Sequence, residues 1–299
     1  ANVGVVDMGE GENQAHWNYW KRELYMYQSG LLELLPDGMA SPRCFGAVEQ
    51  PGNTAWLWLE DIADSYAGAW SLERFALTAL HLGRLNGTFG TLRLLPTDPW
   101  VGANLTQQWG ASFRSYWQSL PWEHHRVLER YPRANSFQRL LQEYERFQAR
   151  LNLLPRTICH GDTYPTNFMS RKLADGREQT VALDWALVNI GPIGDDLGQL
   201  VFGAWTNLKG VGREDVTQAL FDSYIQGLQD CGCYIDPKQV RFGFTASAAL
   251  RIGLFQIYLL SEELKRDSEP AREVVELSIT PNCFEVAMAD EAYELLESV

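Results

Sequence analysis

Ile158-Cys159-His160-Gly161-Asp162-Thr163-Tyr164-Pro165-Thr166-Asn167-Phe168-Met169 is the stretch on which the reading of this chain turns. An aspartate on a glycine-containing loop is followed five positions later by an asparagine, and then by a short apolar run. Residues 168–170 and 180–183 read as two short strands, because Ala174-Asp175-Gly176-Arg177 between them is a strong turn signal. A hairpin brings its two ends together. Asn167 at one end is therefore expected beside Asp184 at the other, and Asp162 just before them completes a group of three oxygen-bearing side chains.

Outward from this centre the character of the chain changes. On the N-terminal side, Trp17-Asn-Tyr-Trp-Lys-Arg-Glu23-Leu-Tyr-Met-Tyr27 has no breaker before Gly30 and reads as a helix of roughly four turns. Two strands, at residues 44–49 and 55–60, flank the turn Gln50-Pro-Gly-Asn53. Ser71 reads as the N-cap of a helix that runs to about Asn86. Helices are expected over residues 107–119, 122–130 and 135–151, then over 196–205, 213–230, 237–265 and 282–296. The apolar stretch over residues 242–260 contains Arg251 and reads as a buried core helix rather than a membrane span.

Composition bounds the class. A chain of 299 residues with 45% hydrophobic and 21% charged residues has the make-up of a globular protein with a sizeable core. A net charge of −13 without any basic run excludes a nucleic-acid-wrapping surface, and no nucleic-acid or membrane partner is expected. Five cysteines (Cys44, Cys159, Cys231, Cys233 and Cys283) argue for a reducing, cytoplasmic compartment rather than a disulfide scaffold. Cys231-Gly-Cys233 has no partner pair for zinc, and His124-His125 lacks a third ligand at suitable spacing. The first residues lack the features of a signal peptide.

The central constellation suits one chemistry. Phosphoryl transfer from a nucleotide needs a base beside the acceptor hydroxyl and hard oxygen ligands for the divalent cations that neutralise the phosphates. Asp162 is placed to orient or accept the acceptor proton, and Asn167 and Asp184 offer one neutral and one charged oxygen to a single cation. The bland reading of Asp162 is a loop aspartate in an Asx-turn. His160 reads as a structural residue that hydrogen-bonds nearby backbone. Trp205, Phe255 and Tyr258 are candidates for an acceptor pocket, with core packing as the competing role.

His160-Gly161-Asp162, four residues, Asn167, and then Leu183-Asp184-Trp185 resembles the signature of aminoglycoside phosphotransferases and of related choline, homoserine and fructosamine kinases. It also looks like a variant of the protein-kinase catalytic loop and metal-binding aspartate motif. The resemblance implies an α+β, two-lobed protein-kinase-like fold: a small, truncated or degenerate N-terminal α/β lobe at residues 1–60, and a large, mainly helical C-terminal lobe at 61–299. It implies ATP and Mg2+ as cofactors, Asp162 as catalytic base, and Asn167 and Asp184 as metal ligands. By the same resemblance Glu60 and Ile62, in Trp56-Leu-Trp-Leu-Glu60-Asp61-Ile62, belong to the hinge that meets the adenine. Glu23 is placed like the helix glutamate that orients a phosphate-binding lysine, and Asp196 like an aspartate that braces the catalytic loop, with Asp195 as its neighbour. Among only five lysines (Lys21, Lys172, Lys209, Lys238 and Lys265) none follows a strand ahead of Glu23, and residues 3–6 read as the end of such a strand with its lysine replaced. The expected activity is transfer of the ATP γ-phosphate to a hydroxyl or amine of an antibiotic, sugar or amino alcohol. The alternative is a catalytically lost or repurposed kinase-fold protein that binds a small molecule or partner, as in natural-product metabolism.

Overall fold

The computed structural model describes residues 11–65, 70–91, 95–131, 135–265 and 284–298; the strand expected at residues 3–6 lies outside them. The architecture is α+β. Two compact units interleave along the chain: one comprises the segments up to Leu105, Pro155–Gly191 and Gln199–Tyr234, the other Thr106–Leu154, Pro192–Gly198 and the chain from Ile235 onward.

In the first unit, helix α1 (Arg22–Gln28) leads to the short strand β1 (Met39–Ala40) and the hairpin β2 (Cys44–Gln50) and β3 (Thr54–Leu59). Helix α1 is shorter than the expected four turns. Residues ahead of it form tight turns, and the carbonyls of His16 and Trp17 are taken by the Arg22 guanidinium. Periodicity does not register a side chain that claims main-chain acceptors in this way. Helix α2 (Leu72–Thr91) follows, with Ser71 Oγ accepting the Arg74 N–H at 3.3 Å as an N-cap.

Strand β4 (Arg156–Cys159), strands β5 (Phe168–Lys172) and β6 (Glu178–Ala182), and strand β7 (Asn189–Pro192) supply the centre, with helix α7 (Leu197–Asn207) and helix α8 (Arg213–Asp230) after them. Strands β5 and β6 pair antiparallel from Phe168↔Ala182 to Lys172↔Glu178, and β1 adds in parallel on the outer side of β6. The connection between them turns at Gly176 (φ +86°), as the turn residues require. Helices α2 and α8 meet backbone to backbone. A Cβ on Gly83 would stand 2.1 Å from the Tyr224 carbonyl oxygen, and one on Gly227 equally close to that of Leu80. Asn86 on α2 then holds β4, donating to the Ile158 carbonyl at 2.8 Å while accepting from the Tyr224 hydroxyl at 2.5 Å.

The second unit is helical: α3 (Leu105–Ser119), which begins one residue before it, α4 (His125–Arg130), α5 (Asn135–Gln142), α6 (Tyr144–Leu153), α9 (Pro237–Lys265) and α10 (Phe284–Leu296). The helix expected over 135–151 is interrupted only at Glu143, across which helical hydrogen bonds continue from Arg139 to Phe147. Among the described residues one helix, α9, is long and apolar enough to cross a membrane, and 89% of its apolar window is buried inside the protein. Its Gly243 and Gly253 lie against the Ile193 carbonyl and the Phe137 ring, as befits a core helix. Tyr258 is buried edge-on against Phe113 and Tyr116, whereas Phe255 is 39% exposed.

His81, on α2, is buried under Gly38 and its Nδ1 lies 2.9 Å from Thr180 Oγ1 on β6. Burial, and then the Arg84 and Arg74 charges, lower its pKa from 6.5 to about 4. Above pH 6.5 the ring is neutral in both folded and unfolded chains. Between pH 6.5 and 4 only the unfolded chain takes up the proton, so stability falls by up to about 3 kcal/mol over that window. Urea unfolding across this range is expected to show that loss in the wild-type protein and a flatter profile in His81→Gln.

Candidate functional site

The site is built on the two ends of the β5–β6 hairpin and the loop that precedes it. Leu183 N–H donates to the Asn167 carbonyl at 2.8 Å, closing the hairpin mouth as the turn signal predicts. His160 is fully buried against Trp185 and Phe168, with ring centroids 4.6 and 5.3 Å away. Its Nδ1 accepts the Asp162 N–H at 3.2 Å, and its Nε2 lies 2.9 Å from the Leu183 carbonyl oxygen. An Nδ1 that accepts leaves the proton on Nε2, which then donates to that carbonyl. The expected structural role for His160 is what the hydrogen bonds describe. Gly161 (φ +81°) makes the turn after it; a Cβ there would lie 2.0 Å from the Leu187 carbonyl oxygen.

Asp162 is half-buried and its carboxylate is held from two sides. Asn167 Nδ2 donates to Asp162 Oδ2 and to the Asp162 carbonyl, both at 2.9 Å. Gln199 Nε2 donates to Oδ1 at 3.2 Å, while Gln199 Oε1 accepts the Thr163 N–H at 2.8 Å. With its amide hydrogens used on Asp162, Asn167 turns its amide oxygen the other way. The motif spacing does not single out Gln199. Its signal is nonetheless there: it is the one amide or charged side chain in the run Leu197-Gly-Gln199-Leu-Val-Phe-Gly-Ala-Trp205.

Asp184 is exposed and takes a left-handed conformation (φ +56°, ψ +72°), with its Oδ1 accepting the Ala186 N–H at 3.3 Å. For a non-glycine residue that backbone costs of the order of 1 kcal/mol, least for aspartate and asparagine. Glu23 Oε1 accepts the Trp185 N–H at 3.4 Å. Burial, and then the Asp184 carboxylate, push the Glu23 pKa above its ordinary value, and the Trp185 N–H partly opposes them. The Tyr27 hydroxyl, one turn on, is also raised, by burial first and then by Glu23, Cys44 and Asp184. Among the described residues Glu23 thus meets the backbone after Asp184, and Lys21 pairs instead with Glu49 at 2.5 Å.

The remaining predicted positions lie elsewhere. Glu60 follows β3; its carboxylate accepts the Arg43 N–H at 3.1 Å and pairs with Arg171 at 2.8 Å. Ile62 is half-buried in the connector, which is pinned to β5 through Ser65 N–H to the Ser170 carbonyl and Ser170 N–H to Asp64. No hydrogen bond among the described residues joins Glu60 or Ile62 to the group of Asp162, Asn167 and Asp184. Asp195 and Asp196 are buried in the turn before α7, where Asp195 accepts from Thr106 Oγ1 at 3.4 Å and stands 3.9 Å from Arg251 Nη1. Trp205 donates to Thr217 Oγ1 at 2.9 Å.

This chain belongs to the phosphotransferase enzyme family: a model of that family matches residues 59–233, more than half of its length. No curated protein sequence matches it. Among solved structures it is similar to an amicoumacin kinase determined with AMP-PNP and Ca2+ (14% identity, TM-score 0.54, covering 92% of this chain and 78% of that one). It is also similar to an aminoglycoside phosphotransferase from Alicyclobacillus acidocaldarius (14% identity, TM-score 0.52, covering 93% and 81%). The GDP complex of aminoglycoside 2′-phosphotransferase-IIIa gives 15% identity and a TM-score of 0.51, covering 93% and 81%. At these identities the likeness establishes the fold.

Asp184→Asn keeps a residue suited to the left-handed turn and removes the repulsion between Asp184 and Glu23. Measured by urea unfolding at pH 7 without metal, this variant is expected to be more stable than wild type by about 0.5–1 kcal/mol. Equal or lower stability would contradict the electrostatic reading of the pair.

Proposed function

We propose that this protein is an ATP- and magnesium-dependent small-molecule kinase. The reading rests above all on the Asp162 carboxylate, held by Asn167 and Gln199 at the mouth of the hairpin that ends in Asp184. Membership of the phosphotransferase enzyme family supports the reaction class. The solved structures named above include complexes with AMP-PNP and Ca2+ and with GDP, which is the basis for proposing a nucleotide and a divalent cation here.

The donor set suits a small hard cation. Asn167 offers an amide oxygen, and Asp184 offers the carboxylate oxygen not engaged by Ala186. These two residues would hold magnesium, which when bound neutralises charge on the nucleotide phosphates. The half-buried Asp162 is fixed by two amide donors and is the group placed to receive an acceptor proton. Gln199 keeps that carboxylate oriented and at the same time ties the Thr163 backbone, so the base cannot swing away. Glu60 and Ile62 are assigned to the adenine side of the site, Glu60 through its main chain, because its carboxylate is committed to Arg43 and Arg171. The acceptor is a hydroxyl- or amine-bearing small molecule such as an antibiotic, sugar or amino alcohol.

A specific observation favours keeping a repurposed, non-catalytic binder as the second reading: Glu23 meets main chain rather than a cation. Thermal unfolding with ATP, with and without magnesium, separates the two. The expected result is stabilisation that requires magnesium, at about 2.7 kcal/mol when ligand is a hundredfold above its Kd. Asp162→Asn is expected to bind nucleotide normally and to lower transfer at least about a hundredfold. Asp184→Asn is expected to lose the magnesium-dependent part of binding. Absence of any nucleotide-dependent shift overturns the kinase reading, and binding without transfer to any acceptor class assigns the second.

A further inference from the structure

Arg22 is 1% exposed, yet no carboxylate appears among its hydrogen-bond partners. Its guanidinium instead gathers main-chain carbonyls from three separate segments. Nη1 donates to Trp17 and to Ala186 (3.0 Å), Nη2 to His16 (2.6 Å), and Nε to Trp100 (2.8 Å). A buried charge satisfied only by carbonyls is costly to place, and it fixes geometry more narrowly than an ion pair with a mobile side chain. One of those carbonyls lies two residues beyond Asp184. The neighbouring side chain, Glu23, accepts the N–H of Trp185 in the same short loop.

We propose that Arg22 and Glu23 act together as a clamp on the backbone that follows Asp184, making them positioning residues for the metal-binding carboxylate. The clamp grips both polarities of the loop, an N–H at Trp185 and a C=O at Ala186, from consecutive positions of one helix. Gripping those two peptide groups holds Asp184 in its left-handed conformation without any contact to its carboxylate, which stays exposed and available. Gly102 belongs to the same device. A Cβ there would lie 3.1 Å from Arg22 Nη2, so the glycine leaves room for the guanidinium, and the residues around it are bound to β7 through Ile190 N–H to the Gly102 carbonyl. The position of α1 is thereby coupled to the geometry at Asp184. The functional half of this inference rests on the kinase reading above; the structural half does not.

The test has two arms. Hydrogen–deuterium exchange is followed by mass spectrometry in wild type, Arg22→Lys and Glu23→Ala, with cooperative thermal unfolding as the folding check. A lysine reaches at most one or two of the four carbonyls. Exchange over residues 184–189 is therefore expected to accelerate at least about tenfold in Arg22→Lys while α2 and the β5–β6 hairpin keep wild-type rates. In the second arm, the magnesium concentration for half-maximal nucleotide binding is expected to rise about tenfold, with magnesium-free affinity unchanged. Wild-type exchange over 184–189, or acceleration shared equally by the whole protein, overturns the clamp. An unshifted magnesium dependence in a variant with accelerated loop exchange overturns its coupling to the site. Should Arg22→Lys not fold, exchange at the Trp185 amide in Glu23→Ala decides by the same criterion. If wild type binds no nucleotide, the kinase reading fails and the exchange arm alone decides the clamp.

Discussion

One buried imidazole holds the functional part of this molecule in register. His160 accepts from the backbone N–H of Asp162 and donates to the backbone carbonyl of Leu183, one residue before Asp184. Asp162 and the residue before Asp184 are thus tied to a single ring, itself wedged between Trp185 and Phe168. The two bonds also set its tautomer, because one nitrogen must accept and the other donate. Without that ring the Leu183 carbonyl and the Asp162 N–H would lose their shared partner, and Asp162 would be held only by the Asn167 and Gln199 side chains.

The electrostatics around Asp184 run against the stability of the fold. Asp184 sits in a left-handed conformation, faces a second carboxylate at Glu23, and remains exposed. The left-handed backbone and the neighbouring carboxylate are unfavourable, whereas exposure to water stabilises the charge. Burial first, and then the Asp184 carboxylate, raise the Glu23 pKa.

Much of this was legible in the chain itself, for a physical reason. The Asn167–Asp184 juxtaposition follows from a local turn and two short strands, and local signals of that kind are strong: the pairing Phe168↔Ala182 is where the turn at Gly176 puts it. The long helices α8 and α9 were equally plain, since their apolar patterns extend over many turns. What was not legible depends on contacts between residues far apart in sequence. Gln199 reaches Asp162 across 37 positions, and Arg22 reaches Ala186 across 164. Composition could have pointed to both, as a glutamine in the apolar first part of its helix and as an arginine among aromatics, but neither signal carries a direction. Glu23 is the instructive case. The helix was anticipated, but the acceptor role toward a backbone N–H, rather than toward a lysine, could be seen only in three dimensions.

Main-chain partners recur throughout this site, and that choice has a consequence. His160, Gln199, Arg22 and Glu23 all bind peptide groups, whose positions are fixed by the strands and turns around them rather than by flexible side chains. A side chain that holds a peptide group passes a shift of its own helix to the neighbouring backbone with one flexible side chain, rather than two, to absorb the motion. The backbone beside Asp184 is therefore tied to α1, and Asp162 to α7. The arrangement of Asp162 and Asp184 is in that sense set by helix positions as well as by the loops that carry them.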